Sequence, residues 1–156
     1  MKLSHQHYMQ EALKEAAKAF RRDEVPVGAV IVHKDKIIAR AHNQIVTLKD
    51  PTAHAEMIAI TQAADHLKNE RLINCSLYAT IEPCAMCAGA AVLARIEKII
   101  YGADDPKTGA CGSVMNIAYN KKLNHRIEVT GSIMREDCTG LLKEFFKKKR
   151  FAGRGA

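Results

Sequence analysis

The sequence predicts an α/β fold, one mixed sheet with helices packed on both faces. Three observations carry this: β-branched runs alternate with helical segments through the middle of the chain, a helix lies near each end, the first with one apolar face, and 156 residues suit one domain over 1–156. A composition of 47% hydrophobic and 26% charged residues is that of a chain that buries a core rather than staying disordered.

Each element follows in order. Over residues 4–20, Tyr8, Ala12, Leu13, Ala16, Ala17 and Phe20 recur three and four apart, so one helical face is buried, with Ser4 placed to cap it. Residues 27–32 and 37–41, on either side of the polar stretch 33–36, read as a hairpin. Asp50 and Pro51 mark a turn, and the Thr52 side chain is expected to open a helix reaching about His66. His54 and Glu56 then lie in its first turn. Residues 75–81 alternate as a strand, Pro83 stops it, and the small-residue run 84–94 enters a helix directly. A strand over 98–101 leads into the glycine- and aspartate-rich loop 102–112, a short strand is expected at 127–130, and a last helix at about 135–150. From about residue 140 onward that helix and the tail are basic.

The longest uncharged apolar run, 84–94, is too short to span a bilayer, and residues 1–20 alternate charged and apolar side chains without the apolar core of a secretory signal. A cytoplasmic location is therefore expected. Five cysteines, two of them in a C-x-x-C pair, point to metal binding before a disulfide framework, leaving Cys75, Cys111 and Cys138 over. A net charge of +7 favours an anionic partner, although solubility alone accounts for it equally well.

The chemistry concentrates in His54-Ala55-Glu56 and Pro83-Cys84-Ala85-Met86-Cys87, each at an expected helix N-terminus. Cys84 and Cys87, three apart on a helix, can present both sulfurs to one ion, and the helix N-terminus favours their thiolate forms. His54 can supply a third ligand through a neutral ring nitrogen. Three such ligands suit tetrahedral zinc and leave a fourth position for water, whose pKa zinc can lower from about 16 to roughly 7. Glu56, two residues from His54, diverges from it around the helix and so is placed over the water rather than on the metal. A carboxylate there can take the water proton, pass it to a ring nitrogen and later protonate departing ammonia, as hydrolytic deamination requires. A closed structural zinc site would need a fourth ligand, with His42, Cys75 and Cys111 nearest in sequence, and leaves Glu56 unexplained. A thioredoxin-like redox pair has no use for the upstream histidine.

In the order H-x-E, then P-C-x-x-C after a strand, these residues resemble the cytidine and nucleotide deaminase superfamily, whose zinc chemistry and signature are established. Within it the chain is similar to the bacterial tRNA-specific adenosine deaminases. The likeness runs from Glu24-Val25-Pro26-Val27-Gly28-Ala29 through Asp50-Pro51-Thr52-Ala53-His54-Ala55-Glu56 and Glu82-Pro83-Cys84-Ala85-Met86-Cys87-Ala88-Gly89 to Phe145-Phe146. Its most diagnostic segment is the loop Gly102-Ala103-Asp104-Asp105-Pro106-Lys107-Thr108-Gly109-Ala110.

The resemblance implies a cytidine deaminase-like sheet of five strands flanked by helices. It implies one zinc ion per subunit on His54, Cys84 and Cys87, with Glu56 as the catalytic proton shuttle, and conversion of adenosine to inosine at the wobble position of a tRNA anticodon. It further implies that Asn43 hydrogen-bonds the flipped adenine, since an amide both donates and accepts, and that Asp105 and Lys107 meet the flanking nucleotides. Read alone, Asn43 merely ends a strand and the loop is a glycine-rich turn. Family members are homodimers, and the apolar face of residues 84–96 suits such an interface as well as it suits core packing. Lys143, Lys147, Lys148, Lys149 and Arg150 beside Phe145 and Phe146 offer cations to phosphate and a ring to a base, or else a solvated face seated by its phenylalanines. The competing functions are a guanine, cytosine or nucleoside deaminase of the same superfamily, and a zinc-stabilised RNA-binding protein without catalysis.

Overall fold

The computed structural model describes residues 3–154; residues 1, 2, 155 and 156, the ends of the expected 1–156 domain, lie outside the described residues. Helix α1 (His5–Arg21) begins where the Ser4 hydroxyl accepts a hydrogen bond from the His7 N–H at 3.2 Å. Its buried face is Tyr8, Met9, Ala12, Ala16 and Ala19. These small residues bring the helix against strand β1 (Gly28–His33) so closely that a Cβ on Gly28 would strike the Ala12 carbonyl. Lys34 and Asp35, with φ of 51° and 63°, then turn the chain into β2 (Lys36–His42), the left-handed pair that matches strand twist in a hairpin.

The remaining strands are β3 (Cys75–Ile81), β4 (Lys98–Ala103) and β5 (Glu128–Thr130), and the sheet order is β2-β1-β3-β4-β5. β1 pairs antiparallel with β2 and β3, while β3–β4 and β4–β5 are parallel, so the sheet is mixed as the sequence predicts. One face packs Val30, Val32, Tyr78 and Ile100 against Tyr8, Met9 and Ala12 of α1 and Cys138 of α5 (Arg135–Arg154). The other packs Ile31, Leu77 and Ile99 against the alanine stripes of α3 (Ala55–Leu67) and α4 (Ala85–Leu93). Alanine at Ala55, Ala59, Ala63, Ala88 and Ala91 allows both helices to lie close to the sheet, which brings their N-termini to one corner.

Two local expectations differ from the structure. The unpredicted short helix α2 (Ile45–Leu48) has its Val46 and Thr47 N–H groups bound by the Glu24 carboxylate at 3.0 and 2.6 Å, a pairing more than twenty residues back that no local window reads. Thr52 does not open α3: its hydroxyl donates to Asp50 Oδ1 at 2.7 Å within the preceding turn. The N-cap of α3 is His54, and the Ala55 N–H is satisfied instead by Asn43 Oδ1 at 2.8 Å.

Candidate metal centre and substrate site

The N-termini of α3 and α4 converge because β2 and β3 both deliver the chain to the same edge of the core. His54 is the N-cap of α3 and Cys84 that of α4; Cys87 follows in the first turn of α4 and is buried. The three donor groups face one another at this corner. His54 Nδ1 lies 3.7 Å from Cys84 Sγ and 3.5 Å from Cys87 Sγ, and the three donor atoms all fall within 4.8 Å of one another.

These separations fit a metal. Tetrahedral coordination with Zn–S near 2.3 Å and Zn–N near 2.05 Å places sulfur and nitrogen about 3.6 Å apart, and the observed pair brackets that value. The charge balance agrees. Hydrogen bonds from the Cys87 thiol, the His54 ring and the Cys87 backbone N–H pull the Cys84 thiol down to about 4, against the effect of burial. Donating to Cys84, together with burial, pushes the Cys87 thiol up. The two thiols are thus pushed in opposite directions, and a dication bound between them would favour the thiolate on both. Among the described residues no fourth His, Cys, Asp or Glu joins the group, as a closed structural site would require. His42 Nδ1 sits 3.0 Å from the Asn43 carbonyl, and Cys75 lies 3.6 Å from His33 at the far end of β3. Cys111 is buried near this corner, and its thiol is pushed up to about 12 by burial and the Glu82 carboxylate.

Glu56, in the first turn of α3, is 2% exposed, and its Oε1 is the one buried side-chain oxygen without a hydrogen-bond partner among the described residues. Burial raises its pKa, countered by its own backbone N–H and by His54. A buried carboxylate with an unpaired oxygen is costly unless something outside the protein completes it. Asn43, also buried, spends its Oδ1 on the Ala55 N–H, and no described hydrogen bond engages its Nδ2.

The loop after β4 closes over the same corner. Gly109 bridges to Cys84, and the Ala110 N–H donates to the Pro83 carbonyl at 2.9 Å. Asp105 is occupied within the loop: its Oδ1 accepts from the Lys107 and Thr108 N–H groups at 3.0 and 3.1 Å, and its Oδ2 from the Thr108 hydroxyl at 2.7 Å. Lys107 is exposed and, with Thr139, Leu142, Lys143, Phe146, Lys147, Lys149 and Arg150 of α5, lines a groove of about 850 Å³. The two phenylalanines divide. Phe145, 5% exposed, packs edge-on against Phe20 of α1 with centroids 5.9 Å apart, whereas Phe146, 46% exposed, faces the groove. Two of the α5 cations are partly engaged at the end of α1 and just beyond it: Lys148 lies over the Phe20 ring, and Lys149 reaches Asp23 at 2.5 Å.

Sequence reasoning missed Glu24 and Glu82, buried carboxylates that organise the loops on either side of the donor cluster. The only local signal for Glu82 is its place between a strand and the proline that opens the C-x-x-C helix.

Residues 3–150 match the family model of the MafB19-like deaminases. The chain is 49% identical over 143 residues to a tRNA-specific adenosine deaminase of Bacillus subtilis, covering 92% of this chain and 89% of that protein. It is 50% identical over 145 residues to one of Aquifex aeolicus, covering 93% and 95%. A structure solved in work on A-to-I editing by tRNA:A34 deaminases superposes with a TM-score of 0.84 at 43% identity, covering 87% of this chain and 99% of that one. Fold, donor cluster and near-full-length similarity thus agree: the chain belongs to the MafB19-like deaminases and, within them, to the tRNA-specific adenosine deaminases.

Proposed function

We propose that this protein hydrolyses adenosine at the wobble position of a tRNA anticodon to inosine, releasing ammonia, with one zinc ion per subunit held by His54 Nδ1, Cys84 Sγ and Cys87 Sγ. The observation that carries the chemistry is the buried, unpaired Oε1 of Glu56 beside a three-donor cluster. Zinc bound there supplies a water activated for nucleophilic attack at neutral pH. Glu56 Oε1 would take a proton from the attacking water, deliver it to the adenine ring nitrogen next to C6, and then carry the second proton to the leaving amine, so that water and adenosine yield inosine and ammonia. Its burial excludes bulk solvent from the proton it holds. Asn43 Nδ2 donates to an acceptor on the edge of the flipped base while its Oδ1 stays fixed to the start of α3.

RNA is gripped outside this pocket. Lys107 and the α5 cations line one groove, and the exposed Phe146 ring gives a base a stacking surface. Asp105 shapes that loop and meets the flanking nucleotide with the lone pairs its internal bonds leave over. The relatives' action on tRNA supports this reading. We read residues 1–156 as a single deaminase domain working as a homodimer in the cytoplasm. Leu93, 80% exposed at the end of α4, supports an interface along 84–96. No helix among the described residues is long and apolar enough to cross a membrane. Incubating the zinc-loaded protein with an anticodon stem-loop, free adenosine, guanine and cytidine tests the function: inosine is expected in the stem-loop, and deamination of a free base or nucleoside instead would reassign the substrate.

A further inference from the structure

Glu82 is 1% exposed at the junction where β3 gives way to the Pro83-Cys84 turn, and none of the described salt bridges supplies it with a cation. Four donors converge on its carboxylate. Oε1 accepts from the Asp105 N–H at 3.1 Å and from the Ser113 hydroxyl; Oε2 accepts from the Cys111 and Ser113 N–H groups at 2.9 and 3.1 Å. Three of these are backbone N–H groups, which can only donate, so the site suits an acceptor on both oxygens. All four donors belong to the loop after β4, and none to the sheet or to α4. The sheet needs nothing from this side chain, because the Glu82 backbone N–H already bonds the Ala103 carbonyl at 2.8 Å. Gly109 packs so tightly on the carboxylate that any Cβ there would collide with it.

The bonds also run in series. Glu82 fixes the backbone of Asp105, and the Asp105 carboxylate in turn fixes the N–H groups of Lys107 and Thr108. Lys107 opens onto the α5 groove. We infer that Glu82 is a positioning residue for substrate: it holds residues 104–113 in the shape that receives the nucleotides flanking the target, and so ties the turn bearing the metal donors to RNA recognition. This rests on the RNA deaminase reading above. None of the described hydrogen bonds joins the Glu82 carboxylate to the donor cluster, so its loss acts on binding more than on the hydrolytic step.

The test is Glu82→Gln, which keeps the shape but turns an NH₂ group toward N–H donors. Metal analysis should find full zinc. Amide hydrogen exchange at Asp105, Cys111 and Ser113 should quicken about tenfold or more, while the Ala88 N–H, bonded to the Cys84 carbonyl, keeps its protection. KM for the anticodon stem-loop should rise about tenfold or more, with a smaller change in kcat. Gly109→Ala should reproduce the KM effect, and the double variant should be little worse than the worse single one, because both disturb the same packing of loop on carboxylate. Ser113→Ala, which removes only the hydroxyl, should raise KM several-fold and carries the test if Glu82→Gln does not fold. Unchanged loop exchange and KM in the folded variants would overturn the inference, as would loss of zinc from Glu82→Gln with the loop still protected. Failure of the unaltered protein to act on the stem-loop would defeat the RNA reading instead, while the exchange measurement still reports whether Glu82 holds the loop.

Discussion

The donor cluster and the α5 groove lie on either side of one loop, yet they are built on opposite principles. In the cluster three atoms from two helix starts meet within 4.8 Å around buried or half-buried side chains, and Glu56 beside them is sealed from solvent. In the groove the cations are exposed, all but Lys107 stand on one helix, and Lys149 is shared with Asp23. Chemistry needs atoms held at fixed separations, so each residue of the cluster has one role and no substitute. Phosphate recognition needs summed charge at Coulombic range, so the groove tolerates individual losses.

If this contrast is right, single substitutions in the cluster abolish function and those in the groove erode it. Cys84→Ala or His54→Ala should lose zinc and with it turnover, whereas alanine at Cys75, Cys111 or Cys138 should leave the metal in place. Metal analysis decides this, and zinc retained in Cys84→Ala but lost in Cys111→Ala would redraw the cluster. Glu56→Ala should keep zinc and fold but turn over about 10²- to 10⁴-fold more slowly, or worse. A near-normal single-turnover rate in the zinc-loaded variant would remove Glu56 from the mechanism.

The two phenylalanines sharpen the comparison within a single helix. Phe145→Ala should cost about 3–5 kcal/mol of stability, read as a lowered Tm, because the ring fills the space between α5 and α1. Phe146→Ala should leave stability within about 0.5 kcal/mol and weaken stem-loop binding by about 1–3 kcal/mol, the worth of a base stack. The reverse pattern would mean that the groove is not where a base lies. Replacing Lys143, Lys147 and Arg150 together by alanine should have the mildest consequence per residue. The slope of log affinity against log salt should fall by roughly 0.7 to 0.9 for each phosphate that the variant no longer neutralises, with little change in the saturating single-turnover rate. An unchanged slope would mark these cations as a solvated face.

The α1 face, the hairpin, the strand 75–81 and the start of the C-x-x-C helix were legible because each is written in side chains two, three or four residues apart. The same locality explains the misses. Helix α2 depends on Glu24, which lies far back in the chain, and Thr52 yields its expected capping role to Asn43, twelve residues away from the N–H it binds. Phe145 and Phe146 are adjacent and chemically identical, so only the docking of α5 on α1 distinguishes the buried ring from the exposed one.

By itself, then, the sequence determined the donor types, their order and the C-x-x-C helix that carries two of them, because spacing along a helix dictates which side chains share a face. Tertiary structure alone decided that His54 presents Nδ1 to the thiols, that Asn43 keeps only its amide NH₂ free, and that Glu24 and Glu82 are saturated while Glu56 is not. All three are buried glutamates on one chain. What separates a structural carboxylate from a chemical one is the number of donors that converge on it from distant segments, and that number exists only once the sheet has brought those segments together.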